Sequence, residues 1–514
     1  MSIITIECSG VGFAGVEAAR AGAPAVLAAS AREAVAKSRA AIDAAVSAVR
    51  PTYGINTGFG RLASTVIDGD SLAELQRNLL VSHACGTGPL VPPDIVRVAM
   101  ILRAASLARG RSGIRPETLD CLLAVYNAGI IPAVPSRGSL GASGDLAPLA
   151  HMCLPLLGEG EVLGENGAIL PGAAALASSG IAPVVLQAKE GLALINGTPV
   201  LTAYAACSLL DLAKLMDAAD VAAAMSAEVL LATTSAFDAE LVALRPHPGA
   251  VASALNLRAA LSGSAIVESH RDCPRVQDAY SIRCTPQVHG ASRDAARYAG
   301  SVISVELASV TDNPLMLPDG SFQSGGNFHG QPVAFAADHL CLAASELGAI
   351  SERRTERLLN PDLSGLPAFL AARPGLDSGL MIAQYTSAAL ASENKILCHP
   401  ASVDSIPVSG AQEDHVSMGA VSARKAMDVV TNARYIVATE LYCAFRAYAM
   451  LDRQGRGAGT GAAFDAISAV ASTDAGERRF DGEIAAVGGL IASGEFSRIL
   501  SDCGGVACRS VLPE

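Results

Sequence analysis

The sequence predicts a mainly α-helical protein built around a bundle of long helices. Apolar residues make up 51% of the 514-residue chain but aromatic residues only 4%, so the core must be filled largely by small aliphatic side chains that favour helices. Three stretches carry apolar residues at helical spacing and almost no Gly or Pro: 201–241, 332–359 and 420–451. Helical patterns this long indicate a bundle, a coiled coil or a helical repeat. Because charges are sparse and Ala lies on several faces, we expect burial on most sides, as in a bundle shared between subunits.

The chain before residue 200 has a different character. Helix-like runs such as 31–49 alternate there with Gly- and Pro-rich pieces at 53–60, 86–93 and 134–144. Such pieces mark loops between regular elements. We therefore predict an N-terminal domain that carries Gly-rich loops.

Three parts of the chain are expected from these changes of character: the loop-bearing domain at 1–200, the central bundle at 201–451 and a C-terminal helical segment at 452–514. A Gly-rich run at 455–461 superficially resembles a phosphate loop. It follows a helix rather than a strand and lacks the Lys-Ser/Thr pair of a P-loop. We predict a flexible connector at this position.

Charge and composition argue against several classes of partner. The formal net charge is −12 and the basic residues are not clustered, so a nucleic acid partner is not expected. The first residues lack the basic and apolar regions of a signal peptide, and the long uncharged stretch 166–188 is interrupted by Pro171 and Pro183. The nine His are dispersed without a metal-binding spacing. We expect a soluble, cytoplasmic protein with no membrane partner and no metal.

The segment 138–151, with the sequence GSLGASGDLAPLAH, carries the most chemical information. One interpretation is a Gly/Ser loop that enters a helix capped by Asp145, with Pro148 in the first turn. A second is a serine hydrolase that uses Ser143, but the G-x-S-x-G pattern is absent because Gly144 follows the serine directly. The chain also lacks the α/β background that a nucleophile elbow requires.

A third interpretation uses the Ala142-Ser143-Gly144 turn itself. The amide nitrogen of Gly144, unhindered because Gly has no Cβ, can attack the carbonyl carbon of Ala142. Loss of water then closes a five-membered ring, and loss of the Ser143 hydroxyl as a second water leaves an exocyclic methylidene. The product is the electrophile 4-methylideneimidazole-5-one (MIO).

This segment resembles the signature of the ammonia-lyase and aminomutase family that carries the MIO group. Further similar motifs follow the family's order: YGINTGFG at 53–60, KEGLALINGT at 189–198, VQDAYSIRC at 276–284, TDNP at 311–314 and SGGNFHG at 324–330. The resemblance implies MIO formed autocatalytically from residues 142–144. It also implies a mainly helical homotetramer whose active sites draw residues from more than one subunit.

The resemblance implies a role for individual residues as well. Tyr53 matches the catalytic base, although a phenol needs a lowered pKa or a concerted proton transfer to act near neutral pH. Arg283 matches the clamp for the substrate carboxylate, a task that suits its planar guanidinium. Other matches lie around the prosthetic group or in the substrate pocket: Tyr280, Asn196, Gln277 and Phe328. Taken alone, Tyr53 would be a packed loop aromatic and Arg283 a surface arginine.

Two positions bear on the substrate. His83 lies where the family recognises the substrate side chain, but tyrosine-specific members resemble this sequence by also having a His at that position. Glu413 discriminates better, because histidine-specific members carry this carboxylate whereas phenylalanine and tyrosine lyases tend to carry Gln. An imidazole offers an N–H to a carboxylate, and a phenyl ring would leave the buried charge unpaired. The alternative for Glu413 alone is a structural residue at a helix start.

The resemblance therefore implies elimination of ammonia from L-histidine to give trans-urocanate. One departure from the histidine-type pattern is the tripeptide Ser409-Gly410-Ala411, where that pattern has Ser-Ala-Asn. The missing amide could loosen side-chain specificity. A tyrosine or phenylalanine ammonia-lyase and a 2,3-aminomutase stay open as alternatives. A non-catalytic helical scaffold is disfavoured because Tyr53, Ser143 and Arg283 are all present.

Overall fold

The structure is a computed structural model that describes residues 3–47, 53–58, 60–62, 64–271, 276–451, 454–474 and 476–511. It is mainly helical, as predicted. Before residue 199 the described residues form eight α-helices: α1 (Phe13–Arg20), α2 (Ala29–Ser47), α3 (Leu72–His83), α4 (Pro93–Ala108), α5 (Pro116–Asn127), α6 (Leu146–Cys153), α7 (Gly172–Ser178) and α8 (Glu190–Ile195).

Short strands between the helices pair with one another in small sheets. β1 (Ile4–Ile6) pairs in parallel with β2 (Ala25–Leu27). The remaining pairs are antiparallel: β3 (Thr87–Leu90) with β5 (Pro135–Arg137), β6 (Glu161–Leu163) with both β4 (Ile131–Pro132) and β7 (Ile169–Pro171), and β8 (Leu315–Met316) with β9 (Phe322–Gln323). Strands of two to four residues cannot build a core of their own, so they serve to fix loops between the helices.

The central part holds the long helices. They and the shorter helices between them are α9 (Pro199–Val229), α10 (Ala239–Ala243), α11 (Pro248–Ala260), α12 (Ala265–Glu268), α13 (Tyr280–Arg283), α14 (Thr285–Leu307), α15 (Gln331–Leu359), α16 (Pro361–Ser364), α17 (Met381–Leu397) and α18 (Gly419–Tyr448). Three more helices follow: α19 (Ala458–Ser468), α20 (Asp481–Ser493) and α21 (Glu495–Asp502).

Helix α9 lies at the centre of the bundle and packs against α14, α15 and α18. Of its 31 residues only Asp211 and Lys214 are not buried. Both α9 and α15 are long and apolar enough to cross a membrane, but 89% and 67% of their most apolar windows are buried inside the protein. Their apolar character is therefore used for helix packing.

The uninterrupted helix predicted over 201–241 is wrong over residues 230–238, which separate two helices. Helix α9 ends at Val229, and Leu231 adopts a left-handed conformation with φ of 53°. The carboxylate of Asp238 then accepts hydrogen bonds from the amides of Glu240 and Leu241 and begins the separate helix α10. Neither the end of α9 nor the start of α10 involves Gly or Pro, so the distribution of these residues in the sequence did not reveal the break.

Helix α14 was not predicted because it contains Pro286, Gly290 and Gly300. Pro286 occupies the first turn, where proline is tolerated. Gly290 lies at a close crossing with α11, since a Cβ there would lie 2.3 Å from the amide nitrogen of Ala250. This glycine therefore serves helix packing and does not interrupt the helix.

The flexible connector predicted at 455–461 is also wrong over its second half. Helix α19 begins at Ala458 inside this run. The amide of Gly457 donates a 2.8 Å hydrogen bond to the Glu228 carboxylate, and a Cβ on Gly459 would lie 2.7 Å from the Cα of Ala260. The glycines allow close approach of α11 and α19.

Candidate active site

A cavity of about 890 Å³ lies between the first part of the chain and the loops that precede α15 and α18. This volume falls in the usual range for small-molecule sites. Apolar walls come from Leu75, Leu79, Leu146 and Leu192. Six of the residues predicted from sequence line it together: Tyr53, His83, Ser143, Asn196, Phe328 and Glu413.

The Ala142-Ser143-Gly144 turn is held against Gly197. The amide of Gly197 donates to the Ser143 carbonyl at 3.2 Å, and the amide of Asp145 donates to the Gly197 carbonyl at 2.7 Å. Gly144 has φ of 76°, and a Cβ there would lie only 1.9 Å from the Gly197 oxygen. Position 144 therefore accepts glycine alone, and glycine also has the unhindered amide that ring closure requires.

The other end of the turn is fixed from the bundle side. The Ser417 hydroxyl donates to the Gly141 carbonyl at 3.0 Å, and the Met418 amide donates to the Leu140 carbonyl at 2.8 Å. Within the loop the Ser139 hydroxyl donates to the Gly144 carbonyl at 3.2 Å. The turn is thus constrained at both ends, a geometry that fits an internal cyclisation.

Asp145 occupies the N-cap position of α6, as the first interpretation of the sequence expected, and Pro148 lies in the first turn, but the Asp145 side chain makes no capping hydrogen bond to this helix. Its carboxylate instead accepts hydrogen bonds from the amides of Val200 and Leu201, at 2.8 and 2.9 Å, at the start of α9. Asp145 is fully buried, and this burial raises its pKa to about 7. The side chain therefore ties the Ala142-Ser143-Gly144 turn to the central helix α9.

Tyr53 is partly buried, and the Gly60 amide donates to its phenolic oxygen at 3.4 Å. Burial raises the pKa of the phenol above its ordinary value, and the carboxylates of Glu413 and Asp312 raise it further. A phenol that acts as a base near neutral pH needs either a lowered pKa or a concerted proton transfer. The described residues of one chain do not lower the pKa of Tyr53 below its ordinary value.

Asn196 ends helix α8 beside the turn and is held by a buried ion pair. Lys189 and Asp312 are both fully buried, with the ammonium 2.8 Å from one carboxylate oxygen. The Asn196 amide nitrogen lies 3.2 Å from the other oxygen and 3.1 Å from the Asn313 carbonyl. The Asn196 Oδ1 is buried without a hydrogen-bond partner among the described residues.

His83 and Glu413 are both partly buried at the cavity. Burial lowers the pKa of the imidazole and raises the pKa of the carboxyl, so burial alone favours the neutral form of each. The loop of Glu413 is closed by paired backbone hydrogen bonds with Val408, at 2.9 and 3.3 Å. Ser409 and Gln412 of this loop also line the cavity.

The remaining predicted residues lie elsewhere. Ala142 and Gly144 belong to the turn itself, but Gln277, Tyr280 and Arg283 do not line the cavity of the same chain. Gln277 is exposed, Tyr280 is 70% exposed, and the Arg283 guanidinium lies over the Tyr280 ring at 4.6 Å from its centroid. The structure of one chain therefore does not bring the predicted carboxylate clamp to the turn.

Several cavity residues were not singled out from the sequence. Asn78 and Ser82 line the cavity from α3, one turn before or beside His83. Their signal was the helical spacing of 75, 78, 79, 82 and 83, which places these residues on one side of the helix. The buried pair Lys189–Asp312 was also missed, although both residues belong to quoted motifs. Among the described residues, no group of three His, Cys, Asp or Glu side chains is placed to hold a metal ion.

Residues 14–469 match the aromatic amino acid lyase family. The chain belongs to this family and is an enzyme of the carbon–nitrogen lyase class. Among its relatives, the histidine ammonia-lyase of Sorangium cellulosum is 53% identical over 488 residues, covering 93% of this chain and 95% of the relative. The histidine ammonia-lyase of Deinococcus radiodurans is 51% identical, covering 94% of this chain and 92% of the relative.

Solved structures show the same fold. The crystal structure of histidine ammonia-lyase from Trypanosoma cruzi superposes with a TM-score of 0.92 at 40% identity, covering 100% of this chain and 98% of that one. Tyrosine aminomutase from Streptomyces globisporus also gives a TM-score of 0.92, at 35% identity, covering 98% and 99% of the two chains. The predicted fold class and family are confirmed.

Proposed function

We propose that the chain eliminates ammonia from L-histidine to give trans-urocanate. The observation that carries this proposal is the presence of the Glu413 carboxylate in the same cavity as Tyr53 and the Ser143 turn. A carboxylate can accept a hydrogen bond from the imidazole N–H of histidine and gains nothing from a phenyl ring. The names of the similar proteins from Sorangium cellulosum and Deinococcus radiodurans support the same substrate.

The cofactor in this proposal is MIO formed from Ala142, Ser143 and Gly144. The support is the clamped turn, the glycine-only position 144 and the unpartnered Oδ1 of Asn196 beside it. When formed, MIO supplies an electrophile that makes the substrate amino group a better leaving group. The other tasks fall to side chains of the protein.

Tyr53 takes the β-proton of the substrate in this mechanism. The electron pair of the C–H bond becomes the new carbon–carbon double bond, and the carbon–nitrogen bond breaks with its electron pair leaving on nitrogen. The Gly60 amide, which donates to the phenolic oxygen, stabilises the charge that the base carries before it takes the proton. Phe328 forms part of the wall, and His83 and Glu413 orient the imidazole.

A second copy of the chain completes the site by supplying Gln277, Tyr280 and Arg283. Arg283 then clamps the substrate carboxylate, and its positive charge lowers the pKa of Tyr53 from the raised value in the single chain. A cytoplasmic homotetramer is the proposed assembly. Exposed apolar side chains of the bundle support association, since Leu342, Ile382 and Tyr385 are 52%, 62% and 62% exposed.

Subunit sharing is tested by complementation. Ser143→Ala and Arg283→Ala should each be inactive, and their co-expression should restore part of the activity, because mixed assemblies contain sites with both residues intact. Mixtures of Ser143→Ala with Tyr53→Phe serve as the control and should stay as inactive as each variant alone if both residues come from one chain. Absence of any recovery in the first mixture would contradict sharing.

An aminomutase is the second candidate, because the fold matches tyrosine aminomutase as closely as it matches histidine ammonia-lyase. The enzyme should be incubated separately with L-histidine, L-tyrosine and L-phenylalanine. Ultraviolet absorption detects a conjugated acrylate, and chromatography detects a β-amino acid. We expect trans-urocanate from histidine as the main product. A β-amino acid as the main product would favour the aminomutase.

A further inference from the structure

Helix α13 has an inner and an outer side. On the outer side Tyr280 is 70% exposed, and the Arg283 guanidinium is stacked over its ring. On the inner side Ile282 is only 2% exposed and packs into the core. A helix of one turn has little stability of its own, so the direction of Arg283 depends on what holds the inner side.

Arg354 of helix α15 holds this inner side. It is fully buried, and its Nη1 donates to the backbone carbonyl of Ser281 at 3.3 Å. Its Nε and Nη2 donate to the two oxygens of Glu440 on α18, at 2.5 and 2.8 Å. The carboxylate of Glu440 in turn accepts from the Ser226 hydroxyl on α9 at 2.7 Å. One guanidinium therefore joins α13 to the central helices.

The network continues through His289 on α14. Nη1 of Arg354 lies 3.4 Å from Nε2 of His289, whose Nδ1 lies 2.7 Å from Asp220 on α9. Asp220 also accepts from Arg293 at 2.6 Å. Burial lowers the pKa of His289, so the neutral ring can donate from Nδ1 and accept at Nε2. Four long helices thus share one chain of buried polar groups.

Stability alone is a weak explanation for this network. Buried ion pairs often contribute no more to folding than apolar side chains of the same size, because desolvation offsets their attraction. Their distinct property is a fixed geometry, and the planar guanidinium serves several partners at set angles where a lysine ammonium cannot. Among the described partners of the Arg354 side chain, Glu440 and His289 lie on long helices, whereas the Ser281 carbonyl belongs to α13, between Tyr280 and Arg283.

We propose that Arg354 is a positioning residue that orients the Tyr280–Arg283 turn for binding of the substrate carboxylate. The proposal rests on the proposed role of Arg283 in the site of a second copy. The preceding residues have a separate anchor, because the Asp278 carboxylate accepts from the Thr233 amide at 2.8 Å. With its inner side fixed by Arg354, the turn presents Arg283 in one direction before any ligand arrives.

The test compares two ligands that differ only in the carboxylate: trans-urocanate and 4-vinylimidazole. Dissociation constants are measured on the assembled full-length protein by calorimetry. Arg354→Lys retains a charge beside Glu440 but loses the planar fork. We expect it to weaken trans-urocanate binding by about tenfold or more and to leave 4-vinylimidazole binding unchanged. Arg283→Lys should show the same selective loss.

Arg446→Lys is the matched control. Arg446 is a buried arginine of the same bundle, but it donates to the Tyr442 hydroxyl and lies over the Phe480 ring, away from α13. This variant should bind both ligands as the wild type does. If Arg354→Lys does not assemble, Glu440→Gln loosens the same guanidinium, and we expect the same selective loss.

Two outcomes overturn the proposal in different ways. If Arg283→Lys shows the selective loss but Arg354→Lys and Glu440→Gln do not, Arg354 has no positioning role. The same follows if Arg354→Lys weakens the binding of both ligands equally. In either case the proposed function stands. No selective loss in Arg283→Lys overturns the carboxylate clamp of the proposed function together with this proposal.

Discussion

The Ser82 hydroxyl lies 3.2 Å from Nδ1 of His83 at the wall of the cavity. The same hydroxyl lies 3.3 Å from the Leu79 carbonyl, so its one proton goes either to that carbonyl or to the ring. When the hydroxyl donates to Nδ1, the neutral His83 ring carries its own proton on Nε2 and can donate from there. A donor on His83 complements a substrate imidazole whose N–H is accepted by Glu413, because the second ring nitrogen of that imidazole is an acceptor.

His83→Leu should lower kcat/KM for histidine by about tenfold, since one hydrogen bond to the polar ring is lost. Phenylalanine, whose ring has no nitrogen to accept a hydrogen bond, should lose less. Ser82→Ala should give a smaller loss of kcat/KM, again larger for histidine than for phenylalanine. This variant removes only the hydroxyl that contacts Nδ1 of His83 and leaves the imidazole ring in place. Equal losses for both amino acids in His83→Leu would exclude side-chain recognition by His83.

Glu413→Gln should weaken histidine turnover by about 1.5–3 kcal/mol, or roughly ten- to a hundredfold in kcat/KM. Phenylalanine and tyrosine should be penalised less or even favoured. Because burial raises the pKa of Glu413, the carboxylate is lost at a higher pH than for a free side chain. The wild type should therefore lose kcat/KM on the acid side at a pH above the ordinary glutamate range, and the variant should lack this step. A wild-type preference for tyrosine would contradict the histidine assignment.

Tyr53→Phe should reduce kcat by about a hundredfold or more, because only the proton acceptor is removed. Far-ultraviolet circular dichroism should show an unchanged fold, since the ring keeps its place in the loop. Tyr204→Phe is a control for removal of a buried phenol in the bundle and should keep its activity. Near-normal turnover in Tyr53→Phe would exclude this residue as the base.

Gly144→Ala should prevent formation of the prosthetic group, because the new Cβ would lie 1.9 Å from the Gly197 oxygen. Peptide mass analysis should find the wild-type peptide that contains residues 142–144 lighter by two waters, and the variant peptide unmodified. Ser143→Ala should fold without turnover, and its peptide should not be lighter by two waters, because alanine has no hydroxyl to lose. A fully active enzyme with an unmodified peptide would contradict the MIO proposal.

Asp145→Asn should change how stability depends on pH. Burial raises the pKa of Asp145 to about 7, so protonation is favoured by folding. Its contribution is therefore fully present below about pH 4 and is lost as pH rises through about 7. Between pH 5 and pH 8 the Tm of the wild type should fall by about one or two degrees more than that of the variant. Parallel pH profiles of Tm would contradict the raised pKa.

The fold was predictable where packing leaves a local pattern. Helices α15 and α18 follow the predicted stretches to within one to three residues, because they lack interior proline and have few glycines. Helix α14 was missed because Gly290 looks like a breaker in sequence and is a packing contact in space. The boundaries at residues 200 and 451 stay a prediction.

The residues of the site were predictable from motifs, but their arrangement in space was not. Tyr53, Ser143 and Glu413 line one cavity although 90 positions (143 − 53) and 270 positions (413 − 143) separate them, and no periodicity of the sequence encodes that arrangement. Arg283 does not line the cavity of its own chain, so its proposed place in a site depends on a second copy. Asp145 does occupy the N-cap position of its own helix, but sequence neighbours suggest a local partner for its side chain and the folded chain supplies α9 instead.

The contacts of Ser417 and Met418 with the reactive loop bear on when the enzyme can mature during translation. Residue 418 is synthesised 274 positions after Gly144 (418 − 144). At about 5–20 residues per second, roughly a quarter of a minute to a minute separates the two on the ribosome. Throughout that interval a nascent chain contains Ala142, Ser143 and Gly144 without their far anchor. If the proposed cyclisation needs this anchor, we expect a polypeptide that ends before residue 417 to keep Ala142, Ser143 and Gly144 unmodified.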